Sequence, residues 1–517
     1  MTQLRANKGE PANPLDAEFQ LKPYPFPKVA PHYCRRLLKK NPQQQVIYSS
    51  LHRQYQEAIE SSISDFLTSW RVRGLDNASA ILVHAPTREI YAYVGSANFW
   101  NDAIRGQIDG VQAKRSPGST LKPFIYALGI DAGLIHPLTL QDDAPTRFGD
   151  YNPENSDRDF LGPIFAKDAL RWSRNLPAIE LANRLPKGGL ETFLRQSGIS
   201  LKRRDYGLAL AIGAAEISME DLANLYVRLS APNNDISDAA RWMTLSALKT
   251  KLGDRPDAFS AKTGTSSGFR DARACGVIDD WVLCVWIGHF DQRPMPGLFA
   301  HKTASPLLAQ TITRLNLPRS KQTRPEDITD VAVCSVSGDL PNPHCPHRTT
   351  TEFYGGVSPI TTCRVHREIY LDKKGKRVPF AEDAVTRRVC EFWSPRRLAA
   401  FQYAGFPRAA VPPLAGENTG PASVAFSKSS SLRIVSPQAS VGYVIQASQP
   451  DRRDILLEAD TGPETKRLYW FAGSQFIGSS SPATPLHWTP LSGQHLIRVV
   501  DEEGQSATVT INVQAIP

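Results

Sequence analysis

Two prolines and a glycine leave the stretch Arg115-Ser-Pro-Gly-Ser-Thr-Leu-Lys-Pro-Phe124 little conformational freedom. Pro123 has no N–H and clashes with the carbonyl four residues before it, so a helix tolerates it only in its first turn. Pro117 and Gly118 interrupt whatever precedes. The apolar residues Phe124, Ile125, Ala127, Leu128 and Ile130 then run on towards Gly133. The stretch therefore predicts a helix that begins close to Ser119 and carries Lys122 on the same face. Ser119 would lie at the positive end of that helix. The arrangement offers a hydroxyl, an amine that can take its proton, and backbone N–H groups for an oxyanion.

An S-x-x-K pair is a weak signal alone, and the chain holds a second copy, Ser246-Ala-Leu-Lys249, read as a surface helix turn. The company of the first copy distinguishes it. An S-x-N triplet follows at Ser173 and Asn175, and a K-T-G triplet occurs once, in Ala261-Lys-Thr-Gly-Thr-Ser266. A decoy S-x-N at Ser96 and Asn98 precedes the S-x-x-K and so breaks the order. Taken singly, Ser173 reads as a helix-surface serine, Asn175 as a cap and Lys262 as a strand-edge lysine. Gly264 suits a strand that another backbone or a ligand approaches closely.

The rest of the chain gives these motifs a setting. At 517 residues, about three domains are expected, and a hydrophobic share of 41% with 21% charged residues is ordinary for a globular chain. The net charge of +9 is spread out, and no motif for binding nucleic acid accompanies it. Residues 1–45, rich in proline and charge, read as a linker or arm. Leu51, Tyr55, Ile59, Ile63 and Leu67 recur every four residues and predict a helix ending at Gly74. Residues 80–84 and 89–94 read as a hairpin, and 274–278 and 281–287 as a strand pair turning at Asp279-Asp280. Residues 46–328 thus form one expected unit and 329–415 a Cys- and Pro-rich connection. After a linker near 410–425, residues 416–517 hold short alternating strands, a pattern that predicts an immunoglobulin-like β-sandwich.

The order S-x-x-K, S-x-N, K-T-G is that of the penicillin-recognising serine enzymes. Phe26-Pro-Lys-Val-Ala-Pro-His32, Val94-Gly-Ser96, the stretch from Arg115 to Phe124, and Lys262-Thr-Gly-Thr-Ser-Ser-Gly-Phe-Arg-Asp271 resemble the class A penicillin-binding proteins of the 1C type. The resemblance covers nearly the whole chain. It implies a mixed α/β transpeptidase fold, an antiparallel sheet flanked by helices with an all-helical subdomain, followed by the sandwich. It implies a D,D-transpeptidase of peptidoglycan that binds stem peptides and β-lactams. Ser119 would be the nucleophile, Lys122 its base and Ser173 a proton relay. Asn175, Lys262, Thr263, Gly264 and Thr265 would hold the substrate. No cofactor is expected. D,D-carboxypeptidase or β-lactamase activity on the same fold is the alternative, and a non-catalytic cell-wall binding remnant is a third reading.

Four departures from the family stand out. The middle residue of the S-x-N is Arg174, which can alter substrate preference, and His52 replaces an aspartate at the opening of its helix. No apolar run in the chain reads as a signal peptide, anchor or transmembrane helix, although the family works in the periplasm at the inner membrane. The chain opens in what resembles the linker after a glycosyltransferase domain, so that activity is expected from a separate chain or from none. Of seven cysteines, Cys334, Cys345, Cys363 and Cys390 cluster in the connecting region. Cys334-x10-Cys345 and Cys363-x2-His366 could bind zinc, but neither a C-x2-C pair nor a second histidine at finger spacing is present, so no metal ligands are assigned; disulfides are favoured if the chain is exported and free thiols if it is not.

Overall fold

The computed structural model describes residues 29–148, 151–186, 188–253, 255–295, 297–320, 322–415, 432–439, 442–446, 454–461 and 465–516. The prolines and lysines of residues 22–28, and most of the linker placed at 410–425, lie outside these. Within the expected arm, residues Pro31–Lys40 form a helix, α1, with its proline in the first turn. It packs through Tyr33 on the Tyr93 ring at 5.0 Å, and its Arg36 Nη2 donates to Glu220 Oε1 at 2.7 Å. This stretch is thus docked on the next unit.

That unit is built on a six-stranded antiparallel sheet. Its strands are, in spatial order, β2 (Glu89–Val94), β1 (Ala78–His84), β8 (Trp281–Gly288), β7 (Asp271–Ile278), β6 (Arg255–Thr265) and β5 (Lys249–Leu252). The predicted hairpins 80–94 and 274–287 are the β1–β2 and β7–β8 pairs. β7 and β8 are buried at every position, because helices cover both faces. On one face lie α2 (Arg53–Trp70) and, from the far end of the unit, α9 (Ala304–Leu315). Ile59, Ile63 and Leu67 share one core there with Leu82, Leu283, Leu307 and Leu308. The spacing that predicts α2 is the spacing of this buried stripe. His52 stands at its N-cap without a side-chain capping bond and lies against Tyr55 at 4.3 Å.

The other face carries α3 (Lys122–Asp131) and a helical layer inserted between β2 and β5. A short hairpin, β3 (Leu140–Asp143) with β4 (Gly162–Phe165), opens this layer. Then come α4 (Ala166–Arg171), α5 (Asn175–Arg184), α6 (Gly189–Gln196), α7 (Met219–Ser230) and α8 (Asp238–Ala247). Phe124, Ile125, Leu176, Ile179, Phe193, Leu222 and Tyr226 bury together against Ile81, Val282 and Cys284 of the sheet. α7 starts on a full capping box between Ser218 and Asp221.

Past the sheet, β9 (Ile328–Cys334) pairs with β10 (Arg348–Tyr354). β11 (His366–Leu371) lies between β12 (Arg377–Val378) and β13 (Thr386–Glu391), and α10 (Pro395–Tyr403) follows. The C-terminal strands form two sheets around one core. One holds β14 (Arg433–Ser436), β16 (Ile455–Asp460) and β19 (Leu486–Trp488). The other holds β15 (Gly442–Gln446), β17 (Leu468–Ala472), β18 (Gln475–Ser480), β20 (Gly493–Asp501) and β21 (Ser506–Ile516). Alternate residues of β16 are buried, and Leu457, Trp470, Ile497 and Val499 fill the space between the sheets. This is the expected β-sandwich. The mixed α/β unit with an antiparallel sheet, helices on both faces and a helical layer is likewise as expected. Among the described residues no helix is long and apolar enough to cross a membrane.

Candidate active site

Ser119 lies in a 3-10 turn, Gly118–Leu121, that leads directly into α3. The regular helix starts later than the sequence suggests, at Lys122. Pro123 explains the delay: it cannot donate to the Ser119 carbonyl, and the 3-10 turn lets the Lys122 N–H take that carbonyl instead. Ser119 is half-buried, whereas the Lys122 side chain is fully buried at 0% exposure. The hydrogen bonds of the lysine reach the second motif and not Ser119: Nζ donates to the Ser173 carbonyl at 2.5 Å and to Asn175 Oδ1 at 2.7 Å.

The second motif is the joint between α4 and α5. Ser173 adopts φ +60°, a left-handed conformation that serine rarely takes, and Asn175 opens α5. Arg174 between them is turned inwards, away from the motif's polar groups. It is 5% exposed, its Nε donates to Asp143 Oδ2 at 2.7 Å, and its Nη1 donates to Asp157 Oδ2 at 2.6 Å. This corrects the expectation that Arg174 tunes substrate preference: it is a clamp on the loop behind the site. Asp143 also accepts from Asn155 Nδ2 at 2.8 Å and from the Leu161 N–H at 3.0 Å. Asn155 in turn accepts the Asn175 N–H at 2.7 Å, and Asn175 Nδ2 donates to the Glu154 carbonyl at 2.7 Å. Asn175 is therefore held on three sides, with its Oδ1 aimed at Lys122.

The third motif lies along β6, beyond the end of β5. Lys262 Nζ donates to Ser173 Oγ at 2.7 Å and to the Thr263 carbonyl at 3.0 Å. Thr265 Oγ1 accepts the Ala300 N–H at 3.0 Å, which leaves its own proton for another acceptor. Gly264 faces the turn that carries Ser119. A Cβ there would stand 2.3 Å from the Pro117 carbonyl oxygen and 3.0 Å from the Thr120 nitrogen, so only glycine lets β6 come this close. Gly118, at φ +54°, meets the same strand from the other side, against Thr265. Gly264→Ala is expected to push β6 off the turn. A thermal melt should show a loss of roughly 1–3 kcal/mol, as for an overpacked core.

Burial dominates the electrostatics. It pushes the Lys122 ammonium well below its ordinary range, and the nearby charges of Lys262 and then Arg174 push the same way, against Asp143. Burial also lowers Lys262, to about 7. The structure brings Ser119, Lys122, Ser173, Asn175, Lys262, Gly264 and Thr265 into one region. It keeps the decoys apart: Ser96 Oγ is spent on the Gly106 carbonyl at 2.7 Å. Ser246 lies near the end of α8 and Lys249 starts β5, so that pair spans a helix end and not a helix turn. Asp143, Asn155 and Tyr226, whose Oη donates to the Thr120 carbonyl at 2.9 Å, support the site without forming any motif.

Folding brings Cys334, Cys345, Cys363 and His366 together, and Cys390 is not one of the group.

Known proteins match this architecture. The model of the penicillin binding protein transpeptidase domain matches residues 78–229, and that of the penicillin-binding protein 1A C-terminal domain residues 324–368. Penicillin-binding protein 1C of Escherichia coli (strain K12) is 29% identical over 96% of this chain and 68% of its own length. The chain is similar to the class A penicillin-binding proteins over nearly its whole length. The penicillin-binding protein C-terminus family also matches, at residues 422–512, so family likeness runs through the sandwich. Penicillin-binding protein 1A of Clostridium botulinum (strain Langeland) is 23% identical over 63% of this chain, which spans only 47% of that relative's length. Among solved structures, the PonA1 protein of Mycobacterium tuberculosis in complex with penicillin V has the same fold. It gives a TM-score of 0.50 at 19% identity over 58% of this chain and 96% of that one.

Proposed function

We propose that this chain is a serine D,D-transpeptidase of peptidoglycan, with Ser119 as its nucleophile. The observation that carries the proposal is the hydrogen-bonded chain Lys122–Ser173–Lys262, which ties the three motifs together beside Ser119. Lys122, whose charged form burial and the neighbouring cations disfavour, takes the proton of Ser119 as the hydroxyl attacks the penultimate D-alanine carbonyl of a stem peptide. The N–H groups of Ser119 and Thr265 receive the oxyanion. Ser173 passes a proton to the departing D-alanine, and Asn175 binds the substrate's amide. Lys262, Thr263 and Thr265 hold the terminal carboxylate. The amine of a second stem peptide then attacks the acyl-enzyme and releases Ser119 with a new cross-link. A β-lactam enters as the donor does and stays on Ser119. Such a substrate lies outside the cytoplasmic membrane, so the chain works in the periplasm.

The test is incubation of the chain with a D-Ala-D-Ala stem peptide and an amine acceptor. Release of D-alanine together with cross-linked dimer is the expected result. D-alanine release with hydrolysed peptide alone would make the carboxypeptidase reading the better one. Neither D-alanine release nor acylation by penicillin would overturn enzymatic function and leave a cell-wall binding role.

A pH profile checks the carboxylate pocket. Lys262 must be charged to hold a carboxylate, and burial places its ionisation at about 7. The rate constant for acylation by a dilute penicillin should therefore fall as pH rises through 7, roughly tenfold by pH 8. In Lys262→Arg the guanidinium stays charged, so that fall should vanish even if the rate is lower throughout. A fall of the same size in the arginine variant would assign the ionisation elsewhere.

A further inference from the structure

Four buried side chains that acyl transfer does not use converge beyond the catalytic unit. Cys334 ends β9, Cys345 sits in the loop to β10, and Cys363 and His366 flank the entry to β11. Their exposures are 0%, 8%, 3% and 3%. The three sulfurs and a ring nitrogen of His366 all lie within 4.8 Å of one another. Nδ1 of His366 stands 3.4 Å from Cys334 Sγ and 3.6 Å from Cys363 Sγ. A tetrahedral zinc with bonds of about 2.3 Å to sulfur and about 2.05 Å to nitrogen sets each S···N separation at about 3.6 Å. The distances are thus those of ligands already spaced around a metal. A disulfide would instead join one pair at about 2.05 Å and leave a thiol and an imidazole with no use; the cysteines are free.

Hydrogen-bond donors face the sulfurs. The Asn342 N–H donates to Cys345 Sγ at 3.3 Å, and the N–H groups of Val336 and Ser337 point at Cys334 Sγ. The Asn342 side chain bonds the carbonyls of Cys363 and His366, both at 2.8 Å, so one residue ties the two arms of the cluster. Such outer contacts fix ligand orientation in metal sites. Three thiolates and one imidazole, buried and closed, select zinc among common divalent ions. We propose that Cys334, Cys345, Cys363 and His366 bind one structural zinc ion. The need for it is visible in the packing. Among the described residues the buried core here is split into three small clusters: Val365, Trp393 and Phe401 with the three cysteines, then Leu138, Val333 and Phe353, then Ile369, Leu371 and Phe392, and such divided cores gain from a staple. The stapled segment bears on the catalytic unit, where Arg397 Nε donates to Asp142 Oδ1 at 3.2 Å, next to the Asp143 that holds Arg174.

The experiment is metal analysis of the full chain, purified under reducing conditions without chelator. One zinc per chain is expected by elemental analysis and by native mass. Cobalt(II) in its place should give the intense visible bands of a tetrahedral thiolate site. Cys363→Ser and His366→Ala should each lose the metal, while Cys390→Ser and Cys34→Ser keep it. If the ligand variants do not fold, the zinc content and cobalt spectrum of the unaltered chain decide alone. Metal content indistinguishable from buffer after reconstitution with zinc would overturn the proposal. So would full zinc retention in folded Cys363→Ser, or a disulfide among these cysteines in chain purified without reductant. None of these readings depends on acyl transfer, so the site can fail without touching that activity.

Discussion

Ser119→Ala is expected to abolish covalent labelling by a fluorescent penicillin and release of D-alanine, with almost no change in melting temperature. The two halves of that result come from different facts. The half-buried hydroxyl is not what Lys122 Nζ bonds, since that amine is held by the Ser173 carbonyl and Asn175 Oδ1. Removing it therefore leaves no buried partner unsatisfied, and the stability cost should stay within about 0.5 kcal/mol. The acyl bond, however, has nowhere else to form. Lys122→Met provides the contrast. Methionine fills much of the lysine's volume but accepts no proton, so acylation should slow by about 10²–10⁴-fold without vanishing. It also strands two buried acceptors, at a cost of about 1–3 kcal/mol. Stable labelling of Ser119→Ala would sink the assignment of the nucleophile. Labelling of Lys122→Met at the native rate would move the base to Ser173 and Lys262.

Much of this site was legible because each motif obeys a local constraint. Pro123 confines the helix start, Gly264 admits a neighbouring backbone, and the lone K-T-G falls on a strand. The alternating runs of residues 432–513 likewise announce a sandwich, because a half-buried strand must alternate. What stayed hidden depends on contacts between residues distant in sequence. Arg174 reads as a substrate-facing oddity until Asp143 and Asp157 are seen beside it. Asn155 belongs to no pattern, yet it positions Asn175. The zinc reading of Cys334, Cys345, Cys363 and His366 ranked below disulfides and free thiols because their spacings fit no finger. They come from a strand end, a loop and a strand entry, and only the pairing of separate sheets juxtaposes them. Periodicity also could not set the start of α3, since it does not distinguish a 3-10 turn from the first turn of an α-helix.

Asp143→Ala should be the most destabilising single change in the catalytic unit that touches no reacting atom. Its carboxylate is wholly buried and accepts three hydrogen bonds, from Arg174, Asn155 and the Leu161 backbone. Removal leaves the Arg174 guanidinium, itself 6% exposed, with Asp157 as its remaining ion pair, and Asp157 is 54% exposed to water. Breaking one side of a buried pair costs about 3–5 kcal/mol. For a unit of this size that lowers the melting temperature by about 10 °C. The sign of the second-site effect separates this account from simple cavity formation. If the stranded charge carries the cost, Asp143→Ala with Arg174→Met should be more stable than Asp143→Ala alone. If loss of volume carries it, the double variant should be worse. The charge account also predicts lost activity in the chains that remain folded. Asn155 loses its anchor on Asp143, then Asn175 loses its hold on Lys122, and acylation at a temperature well below the melt should slow. Native labelling kinetics in folded Asp143→Ala would show that Asn175 needs no such support and that Asp143 serves the fold alone.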